Sequence, residues 1–194
     1  MPLTSFQHYL AETNHTLQKK HPNLSIEMLK LIAPKQFIPE KNSTKGILLI
    51  HGMLDSCASM HSLYESYSSQ GFHINTVLLP GHGSSPDELL NVSYHQWLTC
   101  VKHGLDDLTE KCDNITVMAL SAGATLALYM AEKYESITQL VLFAPALALL
   151  PKMTALIPNL HKFNQLAPLI AKKWLTFTEE DDKAKYKSIT TNCV

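Results

Sequence analysis

The sequence predicts an α/β fold: a parallel sheet with helices on both faces. Three observations carry this. Short, nearly continuous apolar runs recur at 47–50 (ILLI), 72–79 (FHINTVLL), 115–120 (ITVMAL) and 137–143 (ITQLVLF), the pattern of strands covered on both sides. Stretches of helical periodicity separate them, and strand–helix alternation of this kind implies parallel strands. Each run also ends in sharp-turning residues: His51-Gly52, Pro80-Gly81-His82-Gly83, Ser121-Ala122-Gly123 and Ala144-Pro145. Ligands in such sheets bind beyond the carboxyl ends of the strands. Met53, the glycine loop at 80–86 and Ser121 are therefore expected along one edge.

In order, residues 4–20 read as a helix, capped by Thr4 or Ser5, with Phe6, Tyr9, Leu10 and Leu17 as a rough apolar stripe and Pro22 as its stop. Residues 26–38 read as two short strand-like pieces broken at Pro34, and 40–45 as a polar turn. The strand at 47–50 ends at His51-Gly52 and a loop of small polar residues. A helix is expected over 58–70, with Met60, Tyr64 and Tyr67 on one face and Gly71 as its stop. The strand at 72–79 runs into the glycine loop. Ser93 then caps a helix in which Trp97, Val101, Leu105 and Leu108 fall on one face. Asp106, Asp107 and Glu110 are expected on its solvated face. The next strand meets a helix over 122–132 at Ser121, and the strand at 137–143 follows. From 147 to 194 the character changes: Pro151, Pro158 and Pro168 divide the segment into short helical pieces, with an acidic run at 179–182.

Composition narrows the function. With 45% hydrophobic and 17% charged residues, 194 residues suffice for one domain with a substantial core. Net charge is −1 and all 16 basic residues are lysine, which argues against nucleic-acid binding and against an arginine clamp on phosphate or carboxylate. The four cysteines show neither C-x-x-C spacing nor a metal-ligand pattern. No cofactor or metal is expected. Free thiols, the lack of a signal-like N-terminus and the lack of a membrane-spanning apolar run lead to the expectation of a cytoplasmic protein.

Ala119-Leu120-Ser121-Ala122-Gly123 is close to G-x-S-x-G, the turn that presents a nucleophilic serine between a strand and a helix. Strand and helix approach closely at such a turn, so the residues two away from the serine must be small. Ala119 replaces the first glycine and Gly123 keeps the second.

On these residues the chain resembles the α/β-hydrolases, in the branch of small carboxylesterases and monoacylglycerol-lipase-like enzymes. The matching features are LLIHG at 48–52, LLPGHGSSP at 78–86, Trp97, ALSAG at 119–123 and LVLFAPA at 140–146, in order and spacing over about residues 45–146. The resemblance implies an α/β-hydrolase core over residues 1–146 and the beginning of a helical lid over 147–194. It implies Ser121 as the nucleophile and the backbone N–H groups of Met53 and Ala122 as the oxyanion hole, with His51, Gly52 and Gly123 supporting the motifs. The physical logic agrees, because a helix opening at Ala122 aims free N–H groups at developing negative charge. Met53 and Leu54 either line an acyl pocket or merely pack. His51 and His82 belong to structural loops in this family, and neither is expected to be the general base; Asp55 and Asp87 are likewise not expected to be the orienting acid. His61, His95 and His103 are expected at the surface. The implied substrate is a small-molecule ester or lipid, such as a monoglyceride or lysophospholipid.

A serine hydrolase also needs a base and an acid to orient it, in the chain order Ser, Asp or Glu, His. The family places both beyond the lid. Only His161, in the lid-like segment, follows Ser121 here. The expectation is therefore a truncated product or part of a larger hydrolase, with the triad Asp and His missing from these residues and the edge at 137–143 open to pairing.

Overall fold

Alternation within the strands decides which layer each side chain joins. The computed structural model describes residues 5–40 and 43–146. Strand β2 (Lys45–Ile50) is buried from Gly46 onward. Its Leu48 and Ile50 face one layer and its Ile47 and Leu49 the other. β4 (Asn114–Leu120) repeats the pattern, with Ile115, Val117 and Ala119 on the first face and Met118 on the second.

The five strands lie in the order β1-β3-β2-β4-β5, with β1 at Gln36–Phe37, β3 at His73–Val77 and β5 at Ile137–Phe143. β3, β2, β4 and β5 are mutually parallel; β1 pairs antiparallel with β3. The sheet is thus mixed at one edge rather than parallel throughout.

The first face carries α1 (Ser5–Lys20), α4 (Tyr94–Thr109) and α5 (Ala122–Lys133). Phe6, Trp97, Val101, Leu105, Leu108, Leu126 and Met130 interlock there with the strands. The second face carries α3 (His61–Ser68), reached through a 3₁₀ turn at Cys57–Met60. Met60, Tyr64 and Tyr67 pack there on Ile47, Leu49 and Ile74, and Gly71 follows with φ 78°. Beyond α3 this face is thinly covered: Val141 and Phe143 of β5 are 38% and 40% exposed, while Leu140 and Leu142 pack into the first face.

Two expectations are corrected. Residues 26–32 form a helix, α2 (Ile26–Ile32), not a strand. Ser25 accepts a hydrogen bond from the Met28 N–H and so starts the helix, and the extended Ala33 before Pro34 ends it. Asp107, expected among solvated acids, is only 4% exposed. It lies at the core-facing edge of α4. Gln36 Nε2 (2.7 Å), Asn75 Nδ2 (3.0 Å) and Lys111 Nζ (2.6 Å) all donate to its carboxylate, tying α4 to β1 and β3. Three donors make burial of that charge tolerable. The expected lid over 147–194 and His161 lie outside the described residues. Among the described residues no helix is long and apolar enough to cross a membrane.

Candidate active site

Ser121 occupies the single residue between β4 and α5, with φ 50° and ψ −112°. A non-glycine residue in that region is strained, by ~1–3 kcal/mol, and persists only where its surroundings over-determine it. They do so here. The Ser121 N–H donates to Phe143 O (2.8 Å), and its carbonyl accepts from the N–H groups of Thr125 (3.3 Å) and Ala146 (3.3 Å). The serine is held from two elements, β5 and α5.

Gly123 explains how the helix comes so close. A Cβ at that position would lie 2.4 Å from His51 O and 2.8 Å from both Ile50 O and Ile50 Cγ2. The first turn of α5 rests directly on the backbone that ends β2. Gly52 is consequently a neighbour of the serine: a Cβ there would be 3.4 Å from Ser121 Cβ. The smallness expected around the turn is met at Ala119 too, which is fully buried between Ile50 and Leu142 in the sheet.

His51 closes the loop from the other side. It is fully buried, its Nδ1 lies 2.7 Å from Gly52 O, and its Nε2 accepts the Leu79 N–H at 3.0 Å. That pair of contacts sets the tautomer: the proton sits on Nδ1 and donates to the carbonyl of Gly52. Burial, and then the neighbouring His82, push its pKa down to about 4. Both ring nitrogens are engaged, so His51 has no free lone pair for Ser121. His82 lies tilted against His51, ring centres 4.9 Å apart, and edge-on to Trp97 at 5.9 Å, with Nδ1 3.2 Å from Pro80 O; burial lowers its pKa as well. Trp97 Nε1 donates to the same Pro80 carbonyl at 2.9 Å. The two histidines and Trp97 thus fasten the loops after β2 and β3 to each other.

Met53 packs partly buried against the main core, whereas Leu54, at φ 56°, is 56% exposed. Among the described residues neither the Met53 N–H nor the Ala122 N–H donates to a protein acceptor. Next to this loop Leu54, Asp55, Gly81, His82, Ser84 and Leu89 line a cleft of about 340 Å³. Among the described residues the thiols are held protonated: burial pushes Cys57 and Cys100 up to about 12 and Cys112 to about 11. Among the described residues no group of three or more His, Cys, Asp or Glu could hold a metal ion.

Two contributors escaped the sequence. Thr125 is a fully buried hydroxyl in an otherwise apolar stretch of α5. Tyr9 of α1 accepts the Leu78 N–H (2.8 Å) and donates to the Leu78 carbonyl (2.9 Å), securing the backbone just past β3. Thr125, the one polar side chain between Ala122 and Leu128, carried a legible signal; Tyr9 looked like any other member of an apolar stripe.

A family model described as serine aminopeptidase, S33, matches residues 41–192. The thermostable monoacylglycerol lipase of Bacillus sp. (strain H-257) is 35% identical over 101 residues, which cover 52% of this chain and 40% of that protein. A carboxylesterase of Bacillus subtilis (strain 168) is 29% identical over 101 residues, 52% of this chain and 41% of that one. This chain spans about two fifths of the length of both relatives. A solved structure from the work on the metagenome-derived lipolytic enzymes LipS and LipT superposes with a TM-score of 0.60 at 28% identity, over 64% of this chain and 51% of that one.

Proposed function

Because the chain belongs to the S33 serine aminopeptidase family of α/β-hydrolases, we propose that it provides the nucleophile and oxyanion hole of a carboxylic-ester hydrolase. Ser121 Oγ attacks the ester carbonyl carbon, forming a C–O bond. The negative oxygen rests on the N–H groups of Met53 and Ala122. The C–O bond to the alcohol then breaks, the alcohol leaves carrying the proton given up by Ser121 Oγ, and water cleaves the acyl-enzyme to a carboxylic acid, its other proton restoring the Ser121 hydroxyl. The observation that carries this reading is the strained, doubly anchored Ser121 beside Gly52. Relatives named monoacylglycerol lipase and carboxylesterase support an ester, including a lipid ester, as the substrate.

The base is neither His51, whose nitrogens are engaged, nor His82, whose Nε2 is sealed from solvent. The acid and base are assigned to groups other than those described, and the free thiols favour the cytoplasm. The test is a fluorophosphonate probe and a p-nitrophenyl ester on the pure 194-residue chain and on Ser121→Ala. Slow labelling confined to Ser121, with little ester turnover, is expected. Labelling elsewhere refutes the nucleophile. Robust Ser121-dependent turnover shows that the 194 residues hold a base and returns His51, His82 and His161 to consideration.

One observation favours a second reading, a module completed by a partner. β5 is the terminal strand among the described residues and exposes Val141 and Phe143. Edges of this kind invite pairing. Turnover that appears only when further chain or a partner is added would favour it.

A further inference from the structure

Threonine in a helix ordinarily turns its hydroxyl back onto the carbonyl four residues earlier. Two threonines of α4 do so: Thr99 Oγ1 donates to His95 O (2.9 Å) and Thr109 Oγ1 to Leu105 O (3.0 Å). Thr125 differs. The carbonyl four residues before it is that of Ser121, and its hydroxyl does not go there. It reaches out of the helix and donates to Ala146 O at 2.9 Å. Ala146 then returns its own N–H to Ser121 O at 3.3 Å, beside the N–H of Thr125 at 3.3 Å.

A closed circuit results. The Thr125 hydroxyl holds Ala146, and Ala146 holds the carbonyl of Ser121. The Ser121 N–H in turn holds Phe143 O, three residues before Ala146. Ala144 between them sits at φ 43°, a second left-handed non-glycine residue in the same circuit. Thr125 is fully buried, so its hydroxyl has no water to fall back on. A valine of the same shape would fill the space and leave the circuit open.

We propose that Thr125 is a positioning residue for Ser121: by clasping the turn after β5 it keeps the serine in its strained, attack-ready backbone conformation. This rests on the reading of Ser121 as the nucleophile. It adds that the elbow's geometry depends on where the chain goes after β5. Movement of that turn would therefore be felt at the serine through two hydrogen bonds.

The test compares the rate constant for fluorophosphonate labelling of Ser121 in wild type, Thr125→Val and Thr125→Ser, under conditions where each is fully folded. In parallel, amide hydrogen exchange at Ala146 is followed by NMR. The valine variant is expected to label about tenfold more slowly, the factor that loss of one ordinary buried hydrogen bond sets, with faster exchange at Ala146. The serine variant should restore both. A merely structural hydroxyl would alter melting but not the labelling rate per folded molecule. Unchanged labelling in the valine variant, failure of serine to rescue, or an unprotected Ala146 amide in wild type overturns the proposal. Should wild type not label at Ser121 at all, the nucleophile reading fails while Ala146 exchange still decides whether the clasp exists. Should the valine variant not fold, wild-type exchange and the serine variant decide.

Discussion

Acidification should destabilise this protein through His51 before its carboxylates matter. The ring is buried, donates to Gly52 O and accepts from Leu79 N–H, so a second proton has nowhere favourable to go. Its pKa falls from 6.5 to about 4, by burial first and the adjacent His82 second, opposed by the hydrogen bond to Gly52 O and then by Asp55. Between those values the unfolded chain binds a proton that the folded chain refuses. The stabilisation is fully present above pH 6.5 and is lost as pH falls towards 4. At ~1.4 kcal/mol per unit the full excursion amounts to about 3 kcal/mol, a large part of an ordinary domain's stability. His73 and His82, both lowered by burial, act in the same direction. Urea denaturation followed by circular dichroism, from neutral pH to about pH 4 at constant ionic strength, measures the slope. His51→Gln, which keeps an amide oxygen to accept from Leu79, should flatten it. A wild-type stability that stays level over this window, or a glutamine variant with the full slope, would refute the assignment.

Other substitutions test the turns and the buried acid. Gly123→Ala places a methyl against the carbonyl oxygens of His51 and Ile50 and should cost about 3 kcal/mol or more in thermal denaturation. Gly71→Ala meets open space and should cost only ~1 kcal/mol, from its φ alone. Ser121→Gly relieves the left-handed strain and should raise stability by about 1 kcal/mol while abolishing fluorophosphonate labelling. Asp107→Ala takes one acceptor from each of Gln36, Asn75 and the Lys111 ammonium, which keep Asn75 Oδ1, Gly104 O and the carbonyl of residue 107, and a urea titration should show a loss of about 2 kcal/mol.

The strands and the serine turn were legible because their physics is local. A run such as 47–50, four residues long and ended by His51-Gly52, reads as a covered strand from its length and flanking turn, and Gly123 two residues after Ser121 announces a close approach whatever it is approached by. The misread pieces depend on distant partners or on single caps. Residues 26–32 are rich in β-branched and aliphatic side chains, and one Ser25 cap outweighed them. Asp107 is spaced like a solvated acid, yet Gln36 and Asn75 arrive from strands far along the chain to receive it. Tyr9 likewise reaches the backbone of Leu78 across 69 positions.

The sequence by itself determined the α/β alternation, the strand ends at which the loops turn, and the placement of His51, Gly52, Met53 and Ser121 on one edge, since period and turn chemistry are properties of neighbouring residues. Only the tertiary structure decided that His51 is locked between Gly52 and Leu79, that the Ser121 backbone is anchored to both β5 and α5, and that Thr125 closes the circuit through Ala146. Each of these is a hydrogen bond between elements that meet only after the sheet has formed, so no local pattern encodes it.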